Sequence, residues 1–296
     1  MGRHVYSNVI DAIILGSGAT KANPKRFCPS NLIWINDEPV LIDCGPGTVF
    51  RLREADTPAS EITRLLLTHL HIDHYADYPY FLIEPLIAWG KEAIQRRKDL
   101  VVYGPPGTSR LLNLFEKTYD VEMDNYASLK GYEQTRELMG AKVTEISEEW
   151  ELRLGSWVIR AMMVDHGLCK LPCFAYRIDV GGKSIVFSGD TVPCDSMIEL
   201  AKGADVLVHE CSFPDEELEA RRRSGFAYWI HSTPSGVAKV AQKADVKKLV
   251  LNHLAGWNAF SPQNEPYDWE TIAPPVIREK FDGKIIVGHD LMRINF

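Results

Sequence analysis

The chain has 296 residues, 45% of them hydrophobic, enough to bury a substantial core and too many for a disordered or low-complexity protein. A formal charge of −7 and a pI near 5.7 exclude a general electrostatic attraction to nucleic acid or to an anionic membrane; only local basic runs such as Arg221-Arg222-Arg223 and Lys247-Lys248 run against it, and they read as solvated surface. No apolar stretch approaches the ~18 residues that cross a bilayer, and Met1 to Tyr6 does not lead into a signal-peptide core, so a cytoplasmic protein with no membrane partner is expected.

In chain order, short β-branched runs bounded by turn residues predict strands at Ile10 to Leu15, Leu32 to Ile35, Val40 to Ile42, Leu65 to Leu67 and Val101 to Tyr103. The second half repeats the habit at Val158 to Val164, Phe174 to Ile178, Ser184 to Phe187, Val206 to Val208, Leu249 to Leu251, Lys284 to Val287 and Met292 to Phe296. Between them, apolar residues recurring every three or four positions predict helices over Glu84 to Arg97, Ser109 to Lys117, Asp195 to Lys202 and Pro234 to Lys243. The last is the clearest: Thr233 is placed to cap it, Pro234 fits its first position, and Val237, Val240 and Ala241 share one face.

Strands and helices mix along the whole length without a linker or repeat, which predicts one α/β domain over residues 1–296 with a helical insertion around 84–141, its least periodic part from Thr118 to Ala141. Cys28, Cys44, Cys169, Cys173, Cys194 and Cys211 show no C-x-x-C spacing and read as buried thiols.

Chemistry concentrates in Thr68-His69-Leu70-His71-Ile72-Asp73-His74, directly after the apolar run Leu65-Leu66-Leu67. Side chains at i and i+2 of an extended segment project to one side, so His69 and His71 can share a cation; a turn at Asp73 can redirect Asp73 and His74 to a second. His166, Asp190 and His253 also each follow the end of an apolar strand, and strand ends along one sheet edge would bring these loops to one point.

The motif His69-x-His71-x-Asp73-His74, followed by His166, Asp190 and His253, resembles the metallo-β-lactamase superfamily, as do Leu15 to Ala19, Leu41 to Gly47 and Ser188 to Thr191. The resemblance spans nearly the whole chain. It implies a four-layer αββα sandwich with one metal held by His69, His71 and His166, a second by Asp73, His74 and His253, and Asp190 as bridge. Two divalent ions are implied, zinc above all, with manganese or iron compatible with the same nitrogen and oxygen donors. It further implies hydrolysis by a metal-activated water, with Asp73 its proton acceptor as well as a ligand.

His209-Glu210, then His231-Ser232-Thr233, then the strand ending in His253, resemble the branch that holds tRNase Z and the arylsulfatase-like enzymes. In that branch the residue matching His231 faces the leaving group and the one matching Glu210 orients it; His209 reads as a packed histidine. Asp43 is expected to shape the nearby glycine-rich turn, while Gly16, Gly18, Gly45 and Gly47 form no phosphate cradle and His4 and His289 have no visible partners.

Only 23 residues separate His166 from Asp190, one hairpin around Gly181-Gly182, too short for the long tRNA-gripping arm of the standard bacterial tRNase Z. With the acidic pI, this favours a small-molecule phosphodiester or aryl sulfate ester as substrate over nucleic acid, with a tRNA 3′-processing endonuclease or a lactone/β-lactam hydrolase as the alternatives. Trp257, Phe260, Trp229 and Tyr228 are candidates for an apolar pocket. A di-iron oxidoreductase usually carries a flavin domain for which no length remains, and a non-catalytic relative would have lost ligands. Homodimers are common among related enzymes, so a homodimer is the assembly suggested by analogy.

Overall fold

Each run predicted as a strand forms one in the computed structural model, which describes residues 10–36, 38–87, 100–129, 140–225, 230–258 and 265–296. The first sheet contains β1 (Ile10–Gly16), β2 (Ser30–Ile35), β3 (Glu38–Ile42), β4 (Arg64–Leu66), β5 (Val101–Gly104), β6 (Lys142–Glu145) and, from the chain's end, β14 (Met292–Ile294), ordered β14-β1-β2-β3-β4-β5-β6. The second contains β7 (Glu149–Leu154), β8 (Trp157–Val164), β9 (Cys173–Val180), β10 (Lys183–Phe187), β11 (Val206–Glu210), β12 (Lys248–Asn252) and β13 (Lys284–Val287) in the order β13-β12-β11-β10-β9-β8-β7. Each sheet is antiparallel over one half and parallel over the other: β3 to β6 run parallel in the first, β10 to β13 in the second.

The period of two along each strand explains the layering. On β11, Val206 and Val208 face the first sheet and join Ile14, Ile33, Ile42, Leu66, Phe187 and Val250 in the inter-sheet core. Leu207 between them faces outward, into a cluster with Val237, Val240, Trp269 and Ile277. Each such fully buried aliphatic side chain contributes about 1.5–3 kcal/mol. Both sheets are thus apolar on two faces, and helices cover the outer ones. Over the first sheet lie α1 (Thr48–Glu54), α2 (Tyr78–Ile87), α3 (Thr108–Thr118) and α4 (Asp120–Ala127), supplying Val49, Leu52, Phe81, Leu112 and Met123. Among the elements following the second sheet's β10 are α5 (Asp195–Ala201), α6 (Leu218–Ser224), α7 (Pro234–Lys243) and α8 (Trp269–Arg278), of which α5, α7 and α8 pack on its outer face. The result is the expected αββα sandwich, and no described helix is long and apolar enough to cross a membrane.

Helix α7 has the predicted bounds, with Thr233 Oγ1 accepting from the Gly236 N–H at 3.3 Å and Pro234 in the first turn. The helix expected from Glu84 begins at Tyr78 instead and continues through Pro85; residues 88–99 lie outside the described ones. Between 84 and 141, β5 pairs inside the first sheet and α3 and α4 pack on it; 130–139 are not described. The hairpin between β9 and β10 is a two-residue turn in which Gly181 and Gly182 have φ of 56° and 74°, the left-handed conformations that such turns require.

Candidate metal centre

Asp43, Thr68, His69, Asp190, Glu210 and His253 all lie at or just beyond the C-terminal ends of β3, β4, β10, β11 and β12, and His166 follows β8. These ends meet at one edge of the sandwich. After β4 the chain stays extended through His71 and then makes a 3₁₀ turn, Ile72–His74, so His69 and His71 share a side while Asp73 and His74 swing inward. Tight packing fixes that turn. A Cβ on Gly45 would lie 2.0 Å from the carbonyl oxygen of Asp73, and Cys44 N–H donates to His74 O at 2.7 Å. Gly45→Ala is therefore expected to displace the Asp73 backbone, destabilise the fold by about 1–3 kcal/mol and weaken metal retention. Urea unfolding and metal content of the purified variant check this; an unchanged midpoint with full metal content would contradict it.

The side chains form linked groups. The ligating atoms of His69, His71, His166 and Asp190 lie within 4.8 Å of one another, as do those of Asp73, His74 and His253, and those of Asp190, His231 and His253. Asp190 Oδ2 is 3.6 Å from His69 Nε2, 3.9 Å from His166 Nε2 and 3.4 Å from His253 Nε2, while its Oδ1 is 3.5 Å from His74 Nε2. Asp73 Oδ2 lies 3.7 Å from His74 Nε2 and 3.4 Å from His253 Nε2. These spacings match the ligand-to-ligand edge, about 3.3 Å, of a tetrahedron with bonds of 2.0–2.1 Å.

Two buried atoms, His74 Nε2 and Asp190 Oδ1, face each other across the cluster at 3.5 Å and have no other hydrogen-bond partner among the described residues. Buried polar atoms seldom go unpaired, so these residues fit a metal ion. The electrostatics agree. Burial lowers the pKa of His69, His71 and His166, keeping them neutral donors. Burial also opposes charge on His74 and His253, yet the surrounding carboxylates outweigh it: Asp190, Asp43 and Asp73 hold His74 well above the usual range, and Asp190 and Asp73 raise His253 to about 9. Asp190 is held well below its ordinary value because His253, His74 and His69 overcome its burial. Three buried carboxylates thus demand positive charge, which protons on these rings or divalent ions supply. The geometry and charge of the cluster suit a divalent metal ion.

A surrounding shell orients these rings. Asp43, at φ 61° where the chain enters the glycine turn, accepts from Thr68 N–H and Oγ–H and stands 2.8 Å from His74 Nδ1, so its side chain also orients His74, a contact the sequence did not reveal. His166 Nδ1 faces the carbonyl of Ile230 at 2.7 Å. His253 also has a positive φ, 53°, a conformation that costs a non-glycine residue about 1–3 kcal/mol and is held by Leu254 N–H donating to Ser17 O. His71 Nε2 contacts the Cys169 thiol at 3.5 Å. All six cysteines are free; Cys169 and Cys194 are half-buried, not buried as expected.

His231 Nδ1 lies 3.1 Å from Glu210 Oε1 and 3.8 Å from Asp190 Oδ2, so the predicted pair stands beside the cluster. Thr191 N–H and Ser232 N–H also donate to Glu210 Oε1. His209 is wholly buried on the opposite face of β11, its Nδ1 against Glu210 O. Trp257 is half-buried with the Lys21 ammonium 5.8 Å from its ring centre; Tyr228, Trp229, Phe260 and His4 lie outside the described residues, and His289 is exposed.

Three residues escaped the sequence reading. Thr20 Oγ1 donates to Asp73 Oδ2 at 2.8 Å; Ser212 links Glu210 and His253; Asp290 accepts from Ser17 N–H, Ser17 Oγ–H and Phe27 N–H and pairs with Arg51, fastening the loop that carries Thr20.

Known proteins resemble this chain in sequence and in fold. Residues 39–254 match the family described as Beta-lactamase superfamily domain. A ribonuclease Z of Mycobacterium bovis is 31% identical over 288 residues, covering 97% of this chain and 98% of the relative. The crystal structure of the metallo-beta-lactamase fold protein YhfI from Bacillus subtilis superposes with a TM-score of 0.72 at 18% identity, over 96% of this chain and 98% of that one. Human tRNase Z, short form, gives 0.68 at 21% identity with the same coverage, and at these identities both show the shared fold. The chain belongs to the β-lactamase superfamily, in the family that includes the mycobacterial ribonuclease Z enzymes, and is a metal-dependent hydrolase acting on ester bonds.

Proposed function

We propose that the protein is a dinuclear phosphodiesterase that cleaves a 3′ extension from an RNA of the tRNA class. The observation that carries this reading is the His231–Glu210 pair set beside Asp190, which places a proton donor where a leaving oxygen would depart. His69, His71 and His166 would hold one divalent ion, Asp73, His74 and His253 the other, and Asp190 would bridge them; the imidazole-rich set suits zinc. When bound, such ions supply Lewis acidity and activate water at neutral pH.

The chain's own groups do the rest. Asp73, its Oδ2 steadied by the Thr20 hydroxyl, is the proton acceptor for the attacking water. Glu210 Oε1 takes the Nδ1–H of His231, leaving Nε2 to carry the proton for the departing oxygen. Exposed Lys21 and Lys25 lie on the loop whose Thr20 meets Asp73, and exposed Lys170 follows Cys169, which contacts His71; their positive charge suits a phosphate backbone.

The preference for a small ester rested on the missing arm and the acidic pI. The M. bovis relative, named ribonuclease Z, is covered over 98% of its length within 288 aligned positions, so a chain of about this length carries that name without a long insertion. A small phosphodiester remains the second reading, favoured by the tight β9–β10 hairpin and the net charge of −7. The test compares metal-loaded protein on a tRNA precursor with a 3′ trailer, on bis-p-nitrophenyl phosphate and on p-nitrophenyl sulfate. A single cut at the trailer junction, with phosphodiester turnover and no sulfate turnover, is expected. Intact RNA with rapid phosphodiester turnover would establish the second reading, and preferred hydrolysis of the sulfate would overturn both.

A further inference from the structure

Ser212 is 5% exposed and sits two residues beyond Glu210, where the chain leaves β11. Its backbone is fixed: Ser212 N–H donates to Ser232 O at 3.1 Å, and the preceding Cys211 N–H donates to Asn252 O at 2.9 Å. Its hydroxyl stands 2.9 Å from Glu210 Oε2, 2.9 Å from His253 Nδ1 and 3.1 Å from the carbonyl oxygen of His253. One hydroxyl carries one proton. A carboxylate oxygen can only accept, so the proton goes to Glu210, the closer and more basic of the two oxygens, and the hydroxyl lone pair is left to accept from His253 Nδ1–H.

This choice decides what the other side of the ring presents. With the proton on Nδ1, His253 Nε2 offers a lone pair toward Asp73 Oδ2 and Asp190 Oδ2, each 3.4 Å away. Three lone-pair-bearing atoms facing one another require a cation between them. With the other tautomer, Nε2–H would donate to those carboxylates and exclude it. Glu210 thereby serves both sides, Oε1 toward His231 and Oε2, through Ser212, toward His253.

We propose that Ser212 is a positioning residue for the metal site of Asp73, His74 and His253, holding His253 in its ligating tautomer through the carboxylate that also orients His231. This rests on the reading of His253 as a metal ligand. Hydrogen-bond partners behind metal-ligating histidines are typically worth 10–100-fold in metal affinity.

The test follows release of metal from intact protein to a chromogenic chelator. Wild-type protein is expected to release two ions per chain in two phases. Ser212→Ala should accelerate one phase at least about 10-fold and leave the other within about 2-fold, with an unfolding midpoint near that of wild type. Ser212→Thr, which keeps the hydroxyl, should restore the slow phase. If its extra methyl prevents folding, the selectivity between phases in Ser212→Ala decides. Two unchanged phases in Ser212→Ala, or equal acceleration of both, would overturn the role of Ser212 while leaving the metal site intact. A wild-type protein that releases no metal would instead overturn the reading on which it rests.

Discussion

Asp190→Ala is expected to lower kcat/KM for phosphodiester hydrolysis by at least about 10³-fold, some 4 kcal/mol of transition-state stabilisation. Among the described residues, Asp190 is the one carboxylate in contact distance of both halves of the cluster, reaching His69 and His166 through Oδ2 and His74 through Oδ1. Without it, Asp73, Asp43 and Glu210 must balance five closely packed imidazoles and whatever cations they hold, so metal affinity falls with activity. Asp190→Asn keeps the shape and removes the charge, and should lose activity to a similar degree while unfolding at a temperature close to that of wild type. Steady-state kinetics on both variants checks this. Activity within 10-fold of wild type, with both ions bound, would remove Asp190 from its bridging role.

His231→Ala should divide substrates by their leaving groups. A sugar alkoxide leaving from RNA needs a proton in the transition state, and loss of a positioned general acid lowers such rates by about 10²–10⁴-fold. Nitrophenolate leaves unassisted, so turnover of bis-p-nitrophenyl phosphate should fall by less than about 10-fold. The geometry sets this expectation: His231 Nδ1 is engaged by Glu210 at 3.1 Å, and the side chain is 16% exposed, open to a substrate where most of the cluster is buried. Equal losses on both substrates would mean that His231 binds or packs and does not donate a proton. Glu210→Gln should lower RNA cleavage by disturbing the ring's orientation and should also lower turnover of bis-p-nitrophenyl phosphate, because the same carboxylate holds Ser212 and through it His253.

Much of this site could be read from the sequence because its ligand-type residues follow strands. A strand announces itself by its own apolar alternation, and parallel strands deliver their ends to one edge, so His69, His166, Asp190 and His253 could be placed before their contacts were known. Thr20, Ser212 and Asp290 could not. Thr20 meets Asp73 across 53 positions, Ser212 meets His253 across 41, and Asp290 meets Ser17 across 273. A hydroxyl or carboxylate gains such a role only from what folding brings beside it. Asp43 shows the same limit: its place next to the glycine turn was visible, its hydrogen bond to His74 was not.

The missed elements have local causes. β6 and β7 are edge strands with largely polar, exposed faces, and Glu149, Glu151 and Arg153 break the apolar pattern expected of a buried strand. Helix α8 carries Pro274-Pro275, which remove two helical N–H donors and argue against a helix by propensity; packing of Trp269, Ala273 and Ile277 on the second sheet outweighs that penalty. Helix α4 falls in the stretch from Thr118 that looked irregular, because Met123 is its only fully buried side chain.

The count of metal ions per chain, by elemental mass spectrometry on purified protein before and after exhaustive chelation, bears most directly on the site described above. Two divalent ions per chain are expected, with hydrolysis lost on chelation and restored by zinc or manganese in proportion to the ions regained. Full hydrolytic activity in protein stripped of both ions, or a second ion that never binds, would contradict a dinuclear centre built from His69, His71, Asp73, His74, His166, Asp190 and His253.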